Sequence, residues 1–142
     1  MEQTYDPAGK VLLRISSSLM IIFGILGILL YGAALGVLIG VTYFTDGIFS
    51  GTTDIVGISL LLLGGVLELI SGILGVKAVN APQKASRCLF WGIATLVISL
   101  AGLIHILLRN AAPLYWLSLP LAVITPIAYV IGALKLRRPL SE

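Results

Sequence analysis

The chain of 142 residues is 58% hydrophobic and only 11% charged, with a mean hydropathy of +1.10 and a formal charge of +3. Soluble domains carry roughly 25% charged residues, so this composition cannot cover a water-facing surface and excludes the soluble class. The length allows one domain, and a lone cysteine, Cys88, excludes an internal disulfide.

A bilayer core about 30 Å thick needs on the order of 20 apolar residues at 1.5 Å each. The first run predicted to span it is Ile15 to Phe44, preceded by Lys10 and Arg14. It exceeds the apolar part of a cleaved leader, about 7–15 residues, and is read as a permanent helix. At about 45 Å it must tilt, kink at its glycines or project from the bilayer. Gly32, Gly36 and Gly40 recur every fourth residue in GAALGVLIG. Such a stripe lets backbones approach closely, either inside a bundle or in a homo-oligomeric contact.

The segment TDGIFSGTTD, Thr45 to Asp54, has loop chemistry. The second span, Ile55 to Val76, is broken only by Glu68, inside GGVLELISGILG. Gly64, Gly65, Ser71, Gly72 and Gly75 stand three, four or seven residues from Glu68, which places them on its helical face. NAPQKASR follows, with Asn80 near a helix end and Pro82 where the next helix could begin. The third span is Cys88 to Leu108. After RNAAP the fourth runs from about Leu114 to Leu134 and contains Pro120 and Pro126, each expected to bend it. Short links make consecutive helices antiparallel, so the fold predicted is an all-α, up-down transmembrane four-helix bundle.

Charge sets the orientation. Lys10, Arg14, Lys77, Lys84, Arg87, Lys135, Arg137 and Arg138 fall on one side of these spans. Arg109 stands opposite, with Asp46 and Asp54. The positive-inside rule then places both termini in the cytoplasm. Tyr43, Phe44, Tyr115 and Trp116 mark the outer boundary, and Phe90 and Trp91 the inner one. The net positive charge is thereby explained by a multi-pass protein of the cytoplasmic membrane. Lys77, Lys84, Arg87, Lys135, Arg137 and Arg138 are the residues expected to meet lipid headgroups. No basic helix or aromatic-interleaved patch outside the spans offers a nucleic-acid interface.

Glu68 is the one acid within the spans. It lies roughly 12 Å from the cytoplasmic boundary, a little inside the midplane. A charge there costs about 2.5 to 3.5 kcal/mol on insertion scales. Thr95, Ser99, Thr125 and Tyr129 are the polar groups at comparable depth. No basic residue shares that depth, which favours a neutral acid donating a hydrogen bond across the bundle. Glu68 is thus a polar fastener between helices, a proton-coupling or cation site, or a contact for a partner protein or lipid. His105 reads as interfacial and Cys88 as a plain buried thiol. With no paired acid and base, nucleophile or metal cluster, neither an enzyme nor a cofactor or metal is expected.

The stretch ELISGILGVKAVNAPQKASRCLFWGIATLVISL, Glu68 to Leu100, resembles the second and third helices of tetraspanin-like proteins. It shares a glycine-containing turn into a short basic loop, but the chain has no large second extracellular loop and no Cys-Cys-Gly motif. With its basic N-terminus and Gly/Ile/Leu-rich helices, most of the chain is similar to small four-helix membrane proteins common in Gram-positive bacteria, a resemblance that implies a membrane bundle and lends no activity or catalytic residues. Small multidrug exporters also combine four helices with one membrane glutamate. Theirs lies in the first helix, where this chain has none. The function expected is a structural or accessory membrane protein that packs through its glycine-rich faces. Its partner would be a second copy or another membrane protein. The alternative is a small proton-coupled transporter or channel subunit using Glu68.

Overall fold

A computed structural model describes residues 6–44, 52–108 and 115–137. Within them the chain forms four α-helices and no strand. These are α1 Pro7–Phe44, α2 Thr52–Asn80, α3 Ala85–Leu108 and α4 Tyr115–Arg137, with a 3-10 turn Pro82–Lys84 before α3. The expectations resting on Asp46, Arg109 and Arg138 lie outside the described residues, as do those on the side chains of Tyr115, Trp116 and Pro120.

α1 starts at Pro7, ahead of the apolar run at Ile15, because its first turn is capped. The Asp6 carboxylate accepts the Ala8 N–H at 2.9 Å, and the Asp6 carbonyl accepts the Lys10 N–H at 3.2 Å. An aspartate cap followed by proline at the first helical position satisfies donors the helix cannot. Asp6→Ala is expected to cost about 1 kcal/mol. Amide exchange at residues 8–10 checks this, and an unchanged rate counts against the cap. At its other end α2 stops at Asn80, where the Ala81 N–H turns back to the Ala78 carbonyl at 3.1 Å. Pro82 then opens the 3-10 turn instead of α3 itself, and α3 begins at Ala85.

Among the described residues three helical stretches, Pro7–Val41, Ile55–Asn80 and Ala85–His105, are long and apolar enough to cross a membrane. The burial pattern agrees. Leu29 and Leu30 are each 66% exposed, while Ser17, Ser71 and Thr95 are completely buried. Apolar residues outside and hydroxyls inside reverse the arrangement of a water-soluble domain.

α1 packs on α2 and α4, and α3 packs on the same two helices, leaving only a narrow direct contact between α2 and α4. One buried cluster joins Leu13 and Met20 of α1, Ala78 of α2, Ala85 and Cys88 of α3, and Tyr129, Ala133 and Leu136 of α4. The start of α1, the end of α2, the start of α3 and the end of α4 therefore meet. Lys77, Lys84, Arg87, Lys135 and Arg137 surround that end, all exposed.

Glycine permits the close crossings. A Cβ on Gly24 of α1 would stand 2.7 Å from the Leu69 nitrogen of α2, and one on Gly72 would stand 2.8 Å from the Ser17 carbonyl oxygen. A Cβ on Gly132 of α4 would come within 2.9 Å of the Leu13 nitrogen. Gly65, Gly72 and Gly75 of α2 likewise stand at close approaches to α1 or α4. The stripe on α1 differs. A Cβ on Gly32 would reach only the Leu62 side chain at 3.9 Å, and ones on Gly36 and Gly40 would meet nothing within 4 Å. Along α1 the pairing with α2 thins beyond Gly32, so these two glycines have no closely packed neighbour among the described residues. Gly64 makes ordinary contact, 3.9 Å from Ile98.

Candidate functional site

The polar side chains of the bundle centre divide into two tiers. In the first, the Tyr129 hydroxyl of α4 donates to the Ser71 carbonyl oxygen of α2 at 2.8 Å. The Ser71 and Thr95 hydroxyls lie 2.9 Å apart, and Thr95 also lies 2.9 Å from the Trp91 carbonyl oxygen. A hydroxyl has one proton. Thr95 gives its proton to the Trp91 carbonyl and so accepts from Ser71. Three helices are tied by this chain. Tyr129 is fully buried, and two glycines make room for its ring. A Cβ on Gly92 would be 2.7 Å from one ring carbon, and one on Gly75 would be 2.5 Å from another. Cys88 closes the same end, its thiol donating to the Leu74 carbonyl at 3.4 Å.

Ser16 and Ser17 of α1 are buried too, but their hydroxyls turn back to the carbonyls of Leu12 and Leu13. Bonds of this kind satisfy a hydroxyl within its own helix. They leave Ser17 free to pack on Gly75.

Glu68 belongs to the second tier. It is 8% exposed and stands outside the hydrogen-bonded chain of Tyr129, Ser71 and Thr95. Seven residues separate it from Gly75, so both face the bundle centre two turns apart. The contacts of Gly64 with Ile98 and of Ser71 with Thr95 bracket Glu68, setting it opposite the stretch 95–98 of α3. Ser99, one turn past Thr95, is half-buried. Thr125, one turn before Tyr129, is 5% exposed, and Pro126 beside it is fully buried.

The five residues singled out by depth therefore separate, with Thr95 and Tyr129 in one tier and Glu68, Ser99 and Thr125 in the other. Ser71 is the hub that depth alone missed. Its spacing from Glu68 was visible, but its part as a double partner depends on the register of α3 and α4. Gly24, Gly92 and Gly132 were also missed, because no regular glycine spacing marks them.

His105 lies over Gly57, where a Cβ would be 2.8 Å from the imidazole Cδ2. Gly57 is eleven residues from Glu68 in the sequence, about 16 Å along α2. The two groups share no proton path through direct contact. Among the described residues no three His, Cys, Asp or Glu side chains gather as a metal site.

No family model, curated protein or solved structure matches this chain. Neither the tetraspanin-like reading of residues 68–100 nor the likeness to small bacterial four-helix proteins is thus shown.

Proposed function

We propose that this is a multi-pass, non-enzymatic protein of the cytoplasmic membrane that serves as a structural or accessory packing module. All four helices cross the bilayer up and down, with both termini cytoplasmic. The basic residues at the clustered end meet lipid headgroups. Assembly is with a second copy or another membrane protein through small-residue faces. One observation carries this reading: the Tyr129–Ser71–Thr95 chain joins three helices, its hydroxyls occupied by one another and by backbone carbonyls. A centre bonded in this way is a fastener. In support of the topology, Gly9 and Leu13 of α1 approach Leu136 and Gly132 of α4 in opposite order along the two helices.

Single cysteines placed at residue 3, residue 48 and residue 141, in a Cys88→Ala background, test the topology. A membrane-impermeant maleimide should label residue 48 on intact cells and the other two only after permeabilisation. Labelling of a terminus on intact cells overturns the orientation.

A second reading rests on the separation of Glu68 from that hydrogen-bonded chain. As a carboxyl outside the fastener, it suits proton coupling in a small transporter or channel subunit. Glu68→Gln discriminates. The packing reading expects unchanged thermal stability and particle size. The transport reading expects an intact fold and loss of proton flux in liposomes held under a membrane potential.

A further inference from the structure

We propose that Lys77, Lys84 and Arg87, at the joined ends of α2 and α3, form a binding site for the phosphate of an anionic phospholipid. The site rests on the headgroup placement of the basic end in the reading above, and is one place, with one class of lipid, within that end.

Register brings the three cations together. The Ser71 and Thr95 hydroxyls lie 2.9 Å apart, and the Cys88 thiol donates to the Leu74 carbonyl at 3.4 Å. From the first contact Lys77 is about 9 Å along α2 and Arg87 about 12 Å back along α3. From the second they are about 4.5 Å and about 1.5 Å away. Lys77 and Arg87 therefore stand at one level, to within about 3 Å. Lys77 precedes Ala78 and Arg87 precedes Cys88, both in the buried cluster. Each is turned about 100° from its buried neighbour. Because the two helices run in opposite directions and share one hand, both turns lead to the same flank of the pair. Lys84 precedes buried Ala85 and stands three residues before Arg87, on its face. Bonds from the Ala81 N–H to the Ala78 carbonyl at 3.1 Å and from the Lys84 N–H to the Ala81 carbonyl at 2.9 Å hold the short turn that carries it.

No described acid neutralises them. All three side chains are exposed, and none has an ion pair or hydrogen bond among the described residues. The acids whose side chains are described are Asp6, which caps α1, and Glu68, nine residues before Lys77. That separation is about 13 Å along α2. Three like charges on one flank repel, and a shared anion relieves the repulsion.

Position and chemistry select the ligand. Phe90 follows Arg87 by three residues, exposed and set edge-on to Trp91 with ring centroids 6.1 Å apart. Such rings mark the headgroup level, so the cations stand at the depth of lipid phosphates. Beyond Phe90 the exposed stripe continues with Ile93 and Val97, a surface for acyl chains. An arginine fork and two lysines suit phosphate oxygens. A zwitterionic headgroup would set its own cation against all three, which selects a lipid whose phosphate is its sole charge.

The test uses Trp91 as the probe. The full chain carrying Trp116→Phe keeps Trp91 as its sole tryptophan. It is reconstituted in mixtures of phosphatidylcholine and phosphatidylglycerol, with one or the other brominated on its acyl chains. Brominated phosphatidylglycerol is expected to quench Trp91 several-fold more effectively, mole for mole, than brominated phosphatidylcholine. Lys77→Gln, Lys84→Gln and Arg87→Gln together should bring the two lipids to parity. Lys135→Gln with Arg137→Gln should leave the preference intact. Parity with all three cations present, or equal loss in the two sets of variants, overturns the site and leaves the headgroup reading standing. Quenching by neither lipid overturns that reading, and the site with it, because Trp91 then lies away from the bilayer. Inorganic phosphate, compared with sodium chloride at equal ionic strength, should not remove the preference. If it does, free phosphate is the ligand and the lipid assignment falls.

Discussion

Gly75→Ala is expected to destabilise the bundle more than alanine at any glycine of the α1 stripe, by about 3 kcal/mol or more. The added methyl would collide with the Ser17 hydroxyl and stand 2.5 Å from a Tyr129 ring carbon. Neither neighbour can retreat easily. Ser17 is held to the Leu13 carbonyl, and Tyr129 is wedged over Gly92 with its hydroxyl on Ser71. Part of the loss should return when Ser17→Gly is added, because the nearest atom is then gone. Gly40→Ala serves as the contrast. Its methyl meets nothing within 4 Å, so the gain in helix propensity, up to about 1 kcal/mol, should leave it neutral or stabilising. Thermal unfolding in detergent reads all three. Equal effects at Gly75 and Gly40 would show that the crossing of α1, α2 and α4 is not where this structure puts it.

That contrast marks what was legible in the sequence. Helices, their order and the basic end follow from where charges interrupt apolar runs, since a charge in lipid is costly whatever it packs against. The start at Asp6 and Pro7 is set by capping chemistry, which the position of the apolar run alone does not show. Which glycines matter was only partly legible. The regular spacing of Gly32, Gly36 and Gly40 advertises a packing face, whereas Gly92 and Gly132, with no such spacing, make the close approaches. Small size can be read from one chain. The neighbour that exploits it depends on the register of a second helix.

The polar centre shows the same division. Depth along the helices grouped Glu68, Thr95, Ser99, Thr125 and Tyr129. It could not sort them into a bonded tier and a free one, because Tyr129 chooses a backbone carbonyl, that of Ser71. Every residue carries such a carbonyl. The facing glycines, Gly75 and Gly92, make the room in which this one is reached.

Tyr129 should accordingly be the side chain whose truncation costs most. Tyr129→Ala would remove a fully buried ring that packs α4 against α2 and α3 and leave a cavity in the bundle. Large-to-small changes of aromatic residues in cores cost about 3–5 kcal/mol. In lipid the transfer part of that cost shrinks, since the tails are as apolar as the core, while the lost packing contacts remain. We therefore expect about 3 kcal/mol, at the lower end of that range. Tyr129→Phe keeps the ring and removes only the hydroxyl. It leaves the Ser71 carbonyl with its own helical bond, so the cost should be about 0.6 to 1.7 kcal/mol, that of one interhelical hydrogen bond in a membrane. Equilibrium unfolding in mixed micelles measures both. A phenylalanine variant as unstable as the alanine one would mean that the hydroxyl, and not the ring, holds α4 against α2 and α3. Near-neutral behaviour of both would mean that the glycine crossings alone hold the bundle together.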